Sequence, residues 1–165
     1  MKHSHGIAAL AAAGLALSAP GSAEVRSGVR GGAPAGCLGL ASAAWLNVAA
    51  EQVRGSDGVI VLTLYPDDKA RFLKPMGSHY VVKVPARAGT TPACVFVPKP
   101  GVYALALYHD ANANGKLDRN AIGIPKEGFG FSGNPKIQFS APSLESVRLT
   151  VGAAGMQTRI RMRYP

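Results

Sequence analysis

The stretch GVYALALY, residues 101–108, sets Tyr103, Leu105 and Leu107 against Val102, Ala104 and Ala106 in strict alternation. A period of two puts each set on its own face of a pleated strand, so this segment is expected to cross a core. The same pattern recurs on both sides. In AWLNVAAEQV (44–53) Leu46 and Val48 alternate with Trp45 and Asn47, and VIVLTLY (59–65) is a strongly strand-forming run. The turn signal RGSDG (54–58) lies between them, and together the two runs read as a hairpin. Further strands are expected at Tyr80 to Val84, Ala93 to Val97 and Ser146 to Val151. The last, Thr158 to Tyr164, places Ile160, Met162 and Tyr164 on one face and Arg159, Arg161 and Arg163 on the other. PDDKARFLKPMG (66–77) suits one helical turn, capped by Asp67 or Asp68 and ended by Pro75. About seven short strands with frequent turns predict an all-β chain, a single antiparallel β-sandwich of Ig-like or transthyretin-like type.

The sandwich is expected over 44–165, after an irregular Gly/Ala-rich segment at 24–43 and a leader at 1–23. The leader has the three parts of a secretory signal peptide: Lys2 near the start, an apolar run from Ile7 to Leu17, and small residues at Gly21 to Ala23. About 11 apolar residues are too few for a bilayer, which needs ~20. No later stretch is long and apolar enough either, so the expectation is an exported chain, periplasmic or extracellular, with no transmembrane segment.

Cys37 and Cys94 are the only two cysteines, an even count that predicts one disulfide in an oxidising compartment. Loop-entropy arithmetic for their separation gives about 4 kcal/mol of stabilisation. No CxxC motif accompanies them, which points to a structural bond and not a redox pair.

The chain carries a formal charge of +9; without Lys2 the basic count falls from 18 to 17 against 9 acidic residues, for +8. That excess favours anionic partners. The basic residues are dispersed, however, and an export signal argues against nucleic acid. A glycan, a protein or an anionic envelope component remains open as partner.

After the core strand comes HDANANGKLDRNAIGIPKEGFGFSGN, residues 109–134. Read from Asp110 it is D-x-N-x-N-G-x-x-D, with oxygen side chains at Asp110, Asn112, Asn114 and Asp118 and a glycine where the loop must turn sharply. Hard cations such as Ca²⁺ take ligands from alternate positions of such a loop, and Lys116 can add its carbonyl. Ala121 stands where an EF-hand has its bidentate glutamate, and the loop follows a strand, so an EF-hand is not expected. Glu127 is the downstream carboxylate available to complete the shell. With Lys116 and Arg119 opposing the two aspartates, affinity is expected to be weak, ~10⁻⁴ to 10⁻³ M. The competing reading is an Asx-rich turn whose side chains bond their own backbone.

This loop, with VYALALYHD before it and LTLYPDDKARFLK upstream, resembles a secreted bacterial family known as domain of unknown function 2141, over roughly Trp45 to Tyr164. The resemblance implies an exported β-sandwich and supplies no reaction. Other candidate contacts are His109, the Phe129 and Phe131 rings, and the ladder of Arg159, Arg161 and Arg163. A binding or envelope-associated module is the leading expectation. The alternatives are a small hydrolase or isomerase using His109 with Asp110 or Glu127, and an anion-binding protein working through the arginine ladder.

Overall fold

Each alternating segment has one apolar face to bury, and the chain satisfies them all by stacking two sheets. The computed structural model describes Met1, residues 33–137 and residues 140–165. Apart from Met1, the expected leader lies outside the described residues, as does the first part of the 24–43 segment.

The strands are β1 (Ala44–Val53), β2 (Val59–Pro66), β3 (Tyr80–Pro85), β4 (Gly89–Val97), β5 (Gly101–Asp110), β6 (Phe129–Phe131), β7 (Arg148–Val151) and β8 (Met156–Arg161). One sheet has the order β4-β1-β8; the other has β3-β2-β5-β6, with β7 on the same edge of β5 as β6. The inner faces meet in one core that contains Leu46, Val48, Ile60, Leu62, Leu105 and Ile160. The expected β-sandwich is therefore present, with eight strands among the described residues.

Three details differ from the sequence reading. β1 and β2 are not a hairpin: they lie in different sheets, and residues 54–58 cross between layers. Stacking their apolar faces buries Leu46 and Val48 against the layer of Ile60 and Leu62, which side-by-side pairing would not do. The sheets are not wholly antiparallel, because β1 and β8 run parallel, Leu46 opposite Met156 through Glu51 opposite Arg161. The region 66–77 does make the one turn expected of it, capped by Asp68, with Phe72 N–H donating to the Asp68 carbonyl and Ala70 N–H to Asp68 Oδ1. Third, Ser146 and Val147, expected to begin a strand, end the short helix α1 (Leu144–Val147), a single turn that buries Leu144 and Val147.

Two junctions hold the sandwich at its edges. Cys37 and Cys94 are joined, and the Leu38 N–H and carbonyl extend the edge of β4 through Cys94 and Phe96. At the other side β6 meets the chain beyond β8, Phe129 and Arg163 exchanging both backbone bonds at 2.9 and 2.8 Å. A Cβ on Gly130 would lie 2.9 Å from the Arg161 carbonyl, so the layers approach here only because that residue is glycine. Among the described residues no helix is long and apolar enough to cross a membrane.

Tyr80 on β3 has its hydroxyl buried without a hydrogen-bond partner, and burial, reinforced by Tyr103, raises its pKa to about 12. A raised tyrosine pKa favours the folded state below the unfolded value near 10. That contribution fades as pH rises from about 10 towards about 12. Tyr80→Phe should therefore leave stability at pH 7 unchanged or higher and flatten its alkaline decline, as read by urea denaturation across that range. An equally steep decline in the variant would contradict this assignment.

Candidate ligand-binding site

The long loop after β5 has little secondary structure, so its backbone groups need other partners. Side-chain oxygens supply them. Asp110, 0% exposed, accepts from Asn114 N–H at 2.9 Å and Gly115 N–H at 2.8 Å, one bond to each oxygen. Asn112 Oδ1 takes a second bond from Asn114 N–H, and Asn114 Oδ1 accepts from Lys116 N–H. Gly115 adopts φ +79°, which glycine allows without penalty.

The two asparagine side chains then converge on Asp118. Asn112 Nδ2 donates to it at 2.9 Å, and Asn114 Nδ2 donates to both its oxygens at 3.1 Å. Glu127 clamps the loop from downstream, one oxygen accepting from Ala111 N–H at 3.1 Å and the other from Asp118 N–H at 3.0 Å. Beyond Asp118 the segment folds back on itself, with Asn120 Oδ1 accepting from the Ile122 and Ile124 N–H groups and Arg119 bonding the Gly123 carbonyl. The root of the loop is wedged against residues 54–58: a Cβ on Gly58 would lie 2.0 Å from the Asp110 carbonyl oxygen. The loop thus brings Asp110, Asn112, Asn114 and Asp118 together around one turn, with Glu127 bonded to its backbone. Among the described residues no three His, Cys, Asp or Glu side chains gather at one point, so any ion here would rely on the amide oxygens as well.

His109 is 4% exposed and has both ring nitrogens engaged. Nε2 donates to the Asp57 carbonyl at 2.8 Å, which leaves Nδ1 to accept from the Tyr164 hydroxyl at 2.8 Å. Tyr164 in turn accepts from Arg54 N–H, and the Arg54 guanidinium sits 4.4 Å over its ring. Burial raises the Tyr164 pKa, partly offset by Arg54, which keeps the phenol protonated. The histidine joins the turn between layers to the C-terminal segment, and neither nitrogen is free for a substrate.

The outer face of the larger sheet carries the other feature. Strand register aligns Val61, Tyr108, Phe129 and Arg163 in one row, and Thr63, Ala106 and Phe131 in the next. With Gly130 pointing into the core, the Phe129 and Phe131 rings stand outward, half-buried and edge to face at 6.2 Å. At one end, Phe72, Leu144 and Val147 cover this face over Tyr65 and Ala104. Beside them the face stays open as a cleft of about 850 Å³, floored by Thr63, Ala106 and the two rings and walled by the 117–125 loop. That wall exposes Ile122 at 79% and Ile124 at 47%. Arg119 and Arg163 line the cleft, and among the described lining residues there is no aspartate or glutamate.

Of the expected contacts, Phe129, Phe131 and Arg163 meet in this cleft, whereas Arg159 pairs with Glu51 at 2.9 Å and Arg161 lies along the exposed strand face. Sequence reasoning missed Ala106, Tyr108, Ile122 and Ile124. The small outward residues of 101–108, opposite two exposed isoleucines, were the available signal. Ser132 also escaped it: fully buried, it takes Leu105 N–H and donates to the Val147 carbonyl in the gap between β6 and β7.

The structure is thus a β-sandwich with an open aromatic cleft on one face and a carboxylate-clamped loop beside it. The chain belongs to the family described as "Uncharacterized protein conserved in bacteria (DUF2141)", whose model matches residues 48–159. No curated protein and no solved structure matches it.

Replacing Glu127 with alanine strands two loop N–H groups. Hydrogen bonds to charged acceptors contribute about 1.5–3 kcal/mol each when buried, and this carboxylate is partly exposed, so a total loss of about 1–3 kcal/mol is expected. Urea denaturation checks the loss. Amide exchange should accelerate selectively at Ala111 and Asp118; uniform acceleration through β5 would contradict a local clamp.

Proposed function

We propose that the protein is an exported binding module, not an enzyme, whose ligand site is the outer cleft and whose 110–127 loop takes up a weakly held Ca²⁺ that braces the cleft wall. The cleft carries this reading. Soluble domains rarely leave a concave apolar surface open beside half-buried aromatic rings unless something occupies it. The engaged nitrogens of His109 and the buried, backbone-bonded Asp110 leave the described residues without an acid–base pair poised at that surface, which favours binding over turnover.

The loop supports the cation through its donor set. Asn112 and Asn114 turn amide nitrogens toward Asp118, and a half-turn of each amide would present oxygens there instead. Two oxygens facing a carboxylate repel it unless a cation lies between them. Asp110 would hold the ion from the strand end and Lys116 would offer its carbonyl, while Glu127 fixes the loop that carries them. The Lys2 leader and the joined cysteines support export.

Two measurements test the reading. An uncharged fluorescent probe, N-phenylnaphthylamine, should bind saturably, and Ile122→Ser with Ile124→Ser should weaken that binding without lowering the melting temperature. About 10 mM Ca²⁺ should stabilise chelator-treated protein by roughly 1.5–3 kcal/mol, seen as a melting shift of several degrees. Asp118→Ala should abolish the shift. No probe binding would remove the cleft as a site, and no Ca²⁺ shift or calorimetric heat would leave the loop a plain Asx-rich turn.

A further inference from the structure

Within that reading of the cleft, the lining chemistry narrows the ligand to one class. We infer that the cleft takes a single-chain aliphatic carboxylate, the acyl chain lying over Ala106 between the Phe129/Phe131 rings and the Ile122/Ile124 wall, and the carboxylate meeting Arg119 and Arg163.

The floor comes first. Thr63 and Ala106 are small, and the flanking rings are large, so the sheet surface is a shallow trough with aromatic sides. The wall opposite is aliphatic and solvent-exposed before any ligand arrives, at 79% for Ile122 and 47% for Ile124. Covering such surface with a methylene chain gains about 25 cal/mol for each Å² removed from water. A flexible chain can follow the trough where a rigid ring could not.

Charge sets one end. Arg119 and Arg163 both line the cleft, and each uses one guanidinium nitrogen on a backbone carbonyl, Gly123 at 2.7 Å and Pro135 at 3.0 Å. Among the described residues neither forms an ion pair, whereas Lys69, Arg148 and Arg159 each do. Each guanidinium therefore keeps N–H donors suited to the paired oxygens of a carboxylate. The formal charge of +9 draws the same sign of ligand from solution.

Two other occupants fit less well. Sugar recognition uses side-chain carboxylates and amides to bond successive hydroxyls, and the described lining holds neither. An extended peptide gains affinity by adding to a free strand edge, but this floor is a sheet face, and the outer edge of β6 is already bonded to Arg163.

The test compares three monomeric amphiphiles of equal chain length by calorimetry below their micelle concentrations: decanoate, the uncharged decyl glucoside and the cationic decyltrimethylammonium. Decanoate should bind at least about tenfold more tightly than either. Arg119→Gln combined with Arg163→Gln should erase that preference while N-phenylnaphthylamine still binds saturably, which shows that the cleft persists. Ile122→Ser with Ile124→Ser should weaken all chain binding and leave the fold untouched, since both side chains stand outside the core. Equal binding of the three amphiphiles, or undiminished preference in the double glutamine variant, overturns the carboxylate. If the uncharged probe binds and decanoate does not displace it, the ligand class is wrong and the cleft survives as a site. If neither binds, both fall.

Discussion

Asp110 ends a core strand with its carboxylate withdrawn from solvent, and a buried charge of that kind persists only where hydrogen bonds replace water. It finds them in the backbone of its own loop, at Asn114 and Gly115. Much of the surrounding architecture answers to this constraint. The loop must double back over its root, so Gly115 takes a left-handed conformation and Gly58 leaves space for the Asp110 carbonyl. Glu127 repeats the device from the far end, tying Ala111 and Asp118 as the chain returns to the sheet. The loop is long because it is a wall, and it is ordered because anionic and amide oxygens do the work that strand pairing does elsewhere.

The wall has meaning because of what stands behind it. β6 is only three residues long, yet it sets two rings outward and one glycine inward, and its far edge bonds the segment after β8. The same short strand therefore closes the sandwich and furnishes the cleft. His109 and Tyr164 lock the junction from inside, joining the turn between layers to the C-terminal segment through a chain of hydrogen bonds. Fold closure and cleft share their residues, so substitutions at Gly130 or Tyr164 should disturb both together.

Much of the fold was legible in the sequence because alternation reports burial directly. Tyr103, Leu105 and Leu107 face the core as their spacing required, and Ile160 and Met162 do likewise on the last strand. Pairing was less legible. The RGSDG signal marks a change of direction equally well within a sheet or between sheets, and nothing local distinguishes the two for β1 and β2. The parallel partnership of β1 with β8 joins segments over a hundred residues apart, beyond the reach of local pattern. At the site, the spacing of Asp110, Asn112, Asn114 and Asp118 showed that they would share a turn. It did not show that Glu127 would bond backbone, or that His109 would be sealed inside, because both depend on long-range neighbours. The cleft was hidden for the same reason: Ala106 and Ile122 are unremarkable until register and loop path bring them face to face.

The proposal that joins the loop to the cleft is that the oxygens of the 110–118 turn form a cation cradle bracing the cleft wall. A high-resolution crystal structure of the protein grown with millimolar Ca²⁺ addresses it directly. It should show one ion within about 2.3–2.6 Å of oxygens from Asp110, Asn112, Asn114 and Asp118, with the asparagine amides turned to present oxygen. The loop empty, with both amide nitrogens still bonded to Asp118, would contradict it.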